Sequence, residues 1–186
     1  MYGASISRWT MSYFAAALAF LLVGQGLLAA GFGYPVLAIE APETLVVVHI
    51  IAIGWLGLLF CGALLQFVPV LVAKPLYAAD FSLHALILLI FGLLCLIGGF
   101  LALAGLVDAW LILLPIGATL LISGFGLVIY MLAGTLRAAR PLVLPARFVA
   151  VGLVSLAATI ALGGSFAFTL SGAAKGATFN NLVANG

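Results

Sequence analysis

Residues 82–106 read SLHALILLIFGLLCLIGGFLALAGL, an unbroken stretch without a single Asp, Glu, Lys or Arg. A helix rises about 1.5 Å per residue and the hydrocarbon core of a bilayer is about 30 Å thick, so about 20 such residues cross it. This stretch therefore reads as a membrane-crossing helix. Four others share its character, running approximately from Met11 to Ala30, Thr44 to Val72, Ala109 to Leu136 and Phe148 to Ser171. The expected fold is all-α, a single transmembrane domain over residues 1–186 built as a bundle of five helices.

Composition agrees. Of 186 residues, 67% are hydrophobic and 5% charged, whereas a soluble domain carries about a quarter charged residues. That balance excludes a nucleic-acid-binding surface, a soluble dinucleotide-binding domain and intrinsic disorder. Strand-like alternation is absent, which argues against a β-barrel. The run after Arg8 that ends at Leu28-Ala29-Ala30 has the outline of a signal peptide, but it exceeds the 7–15 residues of such an apolar core and is read as a span.

The breaks between spans carry turn chemistry. Gly31, Gly33 and Pro35 close the first; Glu40, Pro42 and Glu43 precede the second; Lys74-Pro75 ends it. Ser82 is expected to cap the third helix, Gly105 and Asp108 to mark a short connection, and Arg137 to Pro145 to form a basic loop. Helices three and four should then be antiparallel neighbours, and Pro115 should kink the fourth. The N-terminus and the even loops hold Arg8, Lys74, Arg137, Arg140 and Arg147, against Lys175 on the other side beside Glu40, Glu43 and Asp108. By the positive-inside rule the N-terminus is cytoplasmic and the C-terminus periplasmic or outside, in a bacterial inner membrane.

Small residues (Gly54, Gly57, Cys61 and Gly62; Gly92, Gly98 and Gly99; Gly124 and Gly126) suit close helix packing, which must replace hydrophobic drive in lipid. Cys61 and Cys95 lie mid-span, too deep for an extracellular disulfide. No nucleotide loop, zinc-type array, carboxylate pair or Ser/His/Asp set is present, so no catalytic residue is assigned. Within the spans the ionisable side chains of interest are His49 and His84, and an intramembrane histidine is a functional hypothesis by default. Imidazole is a usual axial ligand of b-type haem, which makes His49 the first candidate for haem iron and His84 the second cofactor-binding candidate. The two should lie near opposite membrane faces, so one haem cannot use both within a chain.

Around the first candidate the sequence reads His49-Ile-Ile-Ala-Ile-Gly54-Trp55-Leu-Gly57, followed by Gly62-Ala63-Leu64-Leu65-Gln66-Phe67-Val68-Pro69-Val70. This resembles the second-helix region of subunit I of the haem-copper oxidase superfamily, in particular cbb3-type oxidases and nitric oxide reductases. The resemblance covers about 30 residues and implies, at His49 alone, an axial ligand to low-spin haem b. A complete subunit I has about twelve spans and further histidines for its binuclear centre, which two histidines and five spans cannot supply. What the resemblance implies is a haem b-binding module in electron transfer or haem-linked sensing, an oligomer or a subunit of a membrane complex, without oxygen or nitric oxide reduction of its own. Trp55 is expected to pack and not to touch haem, and Gln66 and Pro69 to line a polar cavity or end a helix. The alternative is a cofactor-free structural or assembly subunit of a respiratory or photosynthetic complex; a transporter ranks third because no buried carboxylate is present.

Overall fold

The computed structural model describes residues 8–107 and 110–172. Among them every regular element is helical: α1 (Arg8–Ala29), α2 (Pro42–His49), a π-helical segment (Ile50–Gly57), α3 (Leu58–Leu71), α4 (Phe81–Leu103), α5 (Leu113–Arg137) and α6 (Leu144–Leu170). Elements α2, the π-segment and α3 run on as one rod, Pro42–Leu71, so five helices are long and apolar enough to cross a membrane. Asp108, Ala109 and the tail with Lys175 lie outside the described residues.

The helix ends follow from backbone chemistry. Pro42 occupies the first turn of α2, where its missing N–H costs nothing. Gly105, at φ +71°, ends α4: its N–H reaches the Ala102 carbonyl while that of Leu106 returns to Leu101, 3.1 Å each. The same closure ends α3, where Lys74 N–H reaches Pro69 O at 3.0 Å, but there the left-handed residue is Ala73. Three expectations change. Ser82 does not cap α4; it is the second helical residue, and its hydroxyl donates to Ala79 O at 2.7 Å. Pro115 does not kink the fourth span, because α5 begins at Leu113 and the proline falls in its first turn, before the main-chain ladder needs its N–H. The fifth span begins at Leu144, ahead of the expected Phe148, because Pro145 belongs to its first turn.

Helices α4 and α5 form the most extensive interface, as their short connection implies. Their axes approach until glycine is required: a Cβ on Gly117 would sit 2.7 Å from the Leu96 nitrogen and 2.8 Å from the Gly92 carbonyl oxygen. Around this pair pack α1 and the long second rod, while α6 lies chiefly against α5. The least buried helices are α1 and α6.

Side-chain latches tie one end of the bundle together. Tyr13 donates its hydroxyl to Ser82 O at 2.9 Å, joining α1 to the start of α4. The Tyr77 N–H donates to Thr135 Oγ1 at 2.9 Å, seating the α3–α4 loop on the last turn of α5. The start of α1, the loop with Lys74 and the loop with Arg140 thus share one end, and the Glu40–Glu43 loop lies at the other. Among the described residues, Arg8, Lys74, Arg137, Arg140 and Arg147 fall at one end of the bundle and Glu40 and Glu43 at the other.

Candidate functional site

The second rod changes winding beside its histidine. Ile50, Ile51 and Ile53 are β-branched and Gly54 and Gly57 are glycines, which leaves this stretch with weak intrinsic preference for α winding. From Ile50 to Gly57 the backbone adopts the wider π form, with hydrogen bonds reaching five residues back. Tight packing accompanies the change: a Cβ on Gly54 would meet Phe20 at 2.7 Å and Leu93 at 2.9 Å, so this face of the π-segment is pressed between α1 and α4. The opposite face, with Ala52, Ile53 and Gly57, borders a cavity.

That cavity has a volume of about 890 Å³, within the 300–1,000 Å³ of small-molecule and cofactor sites. The second rod supplies one wall through Leu45, Val48, His49, Phe60, Cys61 and Leu64, α5 the floor through Ala118, Leu121, Ile122, Phe125 and Val128, and α6 the far wall from Leu156 to Leu170. Leu96 and Phe100 of α4 close the back, and Glu40 stands at the loop end. Almost all of this surface is hydrocarbon; Glu40, His49, Cys61 and Thr159 bring the polarity. Thr159 is already occupied, donating to Ser155 O of its own helix at 3.0 Å. Thr119, Ser123 and Ser165 likewise bond main-chain carbonyls of their own helices, which satisfies a hydroxyl in apolar surroundings without any partner helix.

His49 is partly buried at the end of α2. A carbonyl only accepts, so the 2.7 Å contact between His49 Nδ1 and Leu45 O places a proton on Nδ1. In the neutral ring Nε2 then carries the lone pair. His49 makes no other hydrogen bond among the described residues, and no side-chain nitrogen or oxygen there is both buried and unpartnered; Nε2 is therefore unpaired and not completely buried. The ring packs beside Phe100 with centroids 4.9 Å apart and planes at 45°. A histidine held at one nitrogen by a backbone carbonyl, with the other free at an apolar cavity, has the arrangement usual for a metal-ligating imidazole.

His84 is elsewhere. It is exposed at the start of α4, with Nδ1 3.2 Å from Asp80 O and its ring edge-on to Phe81. Because His49 stacks near Phe100 on that same helix, positions 84 and 100 measure the separation, about 24 Å of helical rise. The two histidines are not brought together. Trp55 packs against the core, and neither it nor Gln66 nor Pro69 is a wall of the cavity. Among the described residues no three His, Cys, Asp or Glu side chains cluster as a metal site. The walls that the sequence reading missed, Phe100 and the α6 face, carry no local signal, since each is an apolar residue in an apolar helix.

Comparison with protein-family models, with curated proteins and with solved structures finds no match.

Proposed function

We propose that the chain is a multi-pass inner-membrane protein, N-terminus cytoplasmic, that holds b-type haem through His49 and serves in electron transfer or haem-linked sensing. The observation that carries this reading is His49 on the wall of an apolar cavity of about 890 Å³, with Nδ1 committed to Leu45 O and Nε2 left without a hydrogen-bond partner among the described residues. The cavity matches the porphyrin ring in size and apolar character, and His49 supplies a donor for the iron. His49 would hold the haem iron, Leu45 O would fix its tautomer and ring plane and raise its basicity, and Phe100, Leu96 and Phe125 would supply the apolar surface that excludes water. Bound there, the haem supplies a one-electron couple. No Lys or Arg lines the walls, so no side chain there would pair with the haem propionates. The other candidate donor on the wall, Cys61, lies twelve residues further along the rod, so within one chain His49 would hold the iron without it.

The test is direct. The protein is purified in mild detergent, and oxidised and dithionite-reduced spectra are recorded with a pyridine haemochrome assay. A Soret band with sharp reduced α and β bands, at one haem per chain or per two chains, supports the reading, and the second ratio indicates ligation shared between copies. A preparation that is colourless and remains so when haem is supplied overturns it. The competing reading is a cofactor-free structural or assembly subunit of a larger membrane complex.

A further inference from the structure

Two tyrosines near the basic end of the bundle share a hydrogen bond that leaves one hydroxyl proton unused. Tyr77, in the loop between α3 and α4, lies on α5: its N–H donates to Thr135 Oγ1 at 2.9 Å, and a Cβ added at Gly134 would stand 3.0 Å from the Tyr77 Cβ. From there the ring runs about one turn toward the middle of α5, where its hydroxyl meets that of Tyr130 at 3.1 Å and the two rings pack edge-on, centroids 5.3 Å apart. Two hydroxyls hold two protons, and the bond between them uses one. Neither hydroxyl has another partner among the described residues, and the side chains are 46% and 50% exposed. On a helix that crosses a membrane this face meets lipid, where an unmet hydroxyl is costly because no water accepts its proton.

Cations stand just beyond the pair. Arg137 is the last residue of α5, two residues past Thr135, and Lys74 is three residues before Tyr77. The bond between Tyr77 and Thr135 therefore brings both to one corner, with Arg140 following in the next loop. All three are exposed, and none makes a hydrogen bond or ion pair among the described residues, whereas Arg147 donates its Nε to Leu142 O at 3.2 Å. Asp80, the one described carboxylate at this end, pairs with none of them.

The corner thus offers positive charge at the helix end and an O–H donor one to two turns deeper, about 5–10 Å of rise. The headgroup and interfacial layer is about 5–8 Å thick on each side of the hydrocarbon. A ligand that meets both features must run from the headgroups into the bilayer. A free anion reaches the cations and not the tyrosines, and an acidic protein segment would carry unpaired backbone groups into hydrocarbon. A phosphoglyceride has an anionic phosphate and, one glycerol deeper, ester carbonyls that accept a proton.

We infer that this corner binds one anionic phosphoglyceride, its phosphate between Lys74 and Arg137 and an ester carbonyl accepting from the Tyr77–Tyr130 pair. The site is separate from His49 and its cavity, and it stands whether or not haem is bound.

The experiment uses the full chain purified in mild detergent. Retention of phosphatidylglycerol, and of phosphatidylcholine with the same acyl chains, is measured by native mass spectrometry. The expected result is one phosphatidylglycerol per chain, with phosphatidylcholine held at least about tenfold less. Lys74→Gln with Arg137→Gln should lower retention about twentyfold. Tyr77→Phe with Tyr130→Phe, which leaves charge and rings in place, should lower it about fivefold. Tyr34→Phe, at the opposite end, should match wild type. Excess inorganic phosphate should not displace the lipid. Equal retention of the two lipids, full displacement by inorganic phosphate, or wild-type retention in the tyrosine double variant overturns the inference, the last because general attraction to the cations would then account for all binding. Should that double variant fail to melt cooperatively, wild type decides with phosphatidylglycerol labelled with ¹³C at the ester carbonyls: the bound lipid's infrared carbonyl band should move to lower frequency, and an unmoved band overturns the inference.

Discussion

His49 commits its Nδ1 proton to the carbonyl of Leu45, 2.7 Å away, and this one bond determines that Nε2 is the nitrogen left unpaired. Replacement by glycine removes the ring and leaves the carbonyl and the space. The pigment of purified protein should disappear in His49→Gly and return when free imidazole is added, as followed at the Soret band. Retention of the full spectrum without imidazole would remove His49 from the account.

His84 lies exposed, about 24 Å along α4 from the Phe100 that His49 touches. His84→Ala should leave haem content and band positions unchanged and alter stability by no more than about 0.5 kcal/mol. Loss of a haem fraction in this variant would establish a second site.

The α4–α5 contact tolerates no side chain at Gly117, where the opposing atoms are backbone and cannot swing aside. Gly117→Ala should destabilise by about 1–3 kcal/mol through overpacking. Gly126, on the same helix, has nothing within 4 Å of an added Cβ; Gly126→Ala should be neutral or stabilise by up to about 1 kcal/mol. Thermal unfolding of both in one detergent provides the comparison, and equal melting temperatures would mean that the helices do not approach this closely.

Thr135 is fully buried, accepts from the Tyr77 N–H at 2.9 Å and donates to Met131 O at 2.8 Å. Thr135→Val keeps the shape and leaves that N–H without a partner, at a cost of about 1–3 kcal/mol. Proteolysis within residues 72–80 should accelerate in the variant. Unchanged cleavage would show that the loop is held by Tyr77 packing alone.

Orientation is tested by labelling single cysteines in a background where Cys61 and Cys95 are replaced by alanine. Cysteines at Lys74 and Arg140 should react with an impermeant maleimide only after the cytoplasmic face is opened, and one at Glu40 should react in intact cells. The reverse pattern would invert the topology.

Much of the bundle was legible because hydropathy is a local property. Five apolar stretches, their approximate ends and the adjacency of the third and fourth spans all follow from residues read in order; Pro42 begins a helix and Gly105 ends one, as their backbone chemistry dictates. The departures are also local in origin. Ser82, Pro115 and Pro145 each sit a few residues from where turn propensity alone would put them, because a helix boundary depends on which carbonyls find partners.

His49 was visible as a polar residue in an apolar run, but its environment was not. The cavity joins Leu45 to Leu170 and Phe100 to Ile160, and no pattern along the chain links those positions. In lipid an apolar side chain faces hydrocarbon whether it points outward or inward, so helix periodicity does not mark the inner face as it does in water. Spans could therefore be read from composition and length, whereas the walls of the cavity were set by the wide turn after His49, the glycine contact between α4 and α5, and the placement of α6 chiefly on α5.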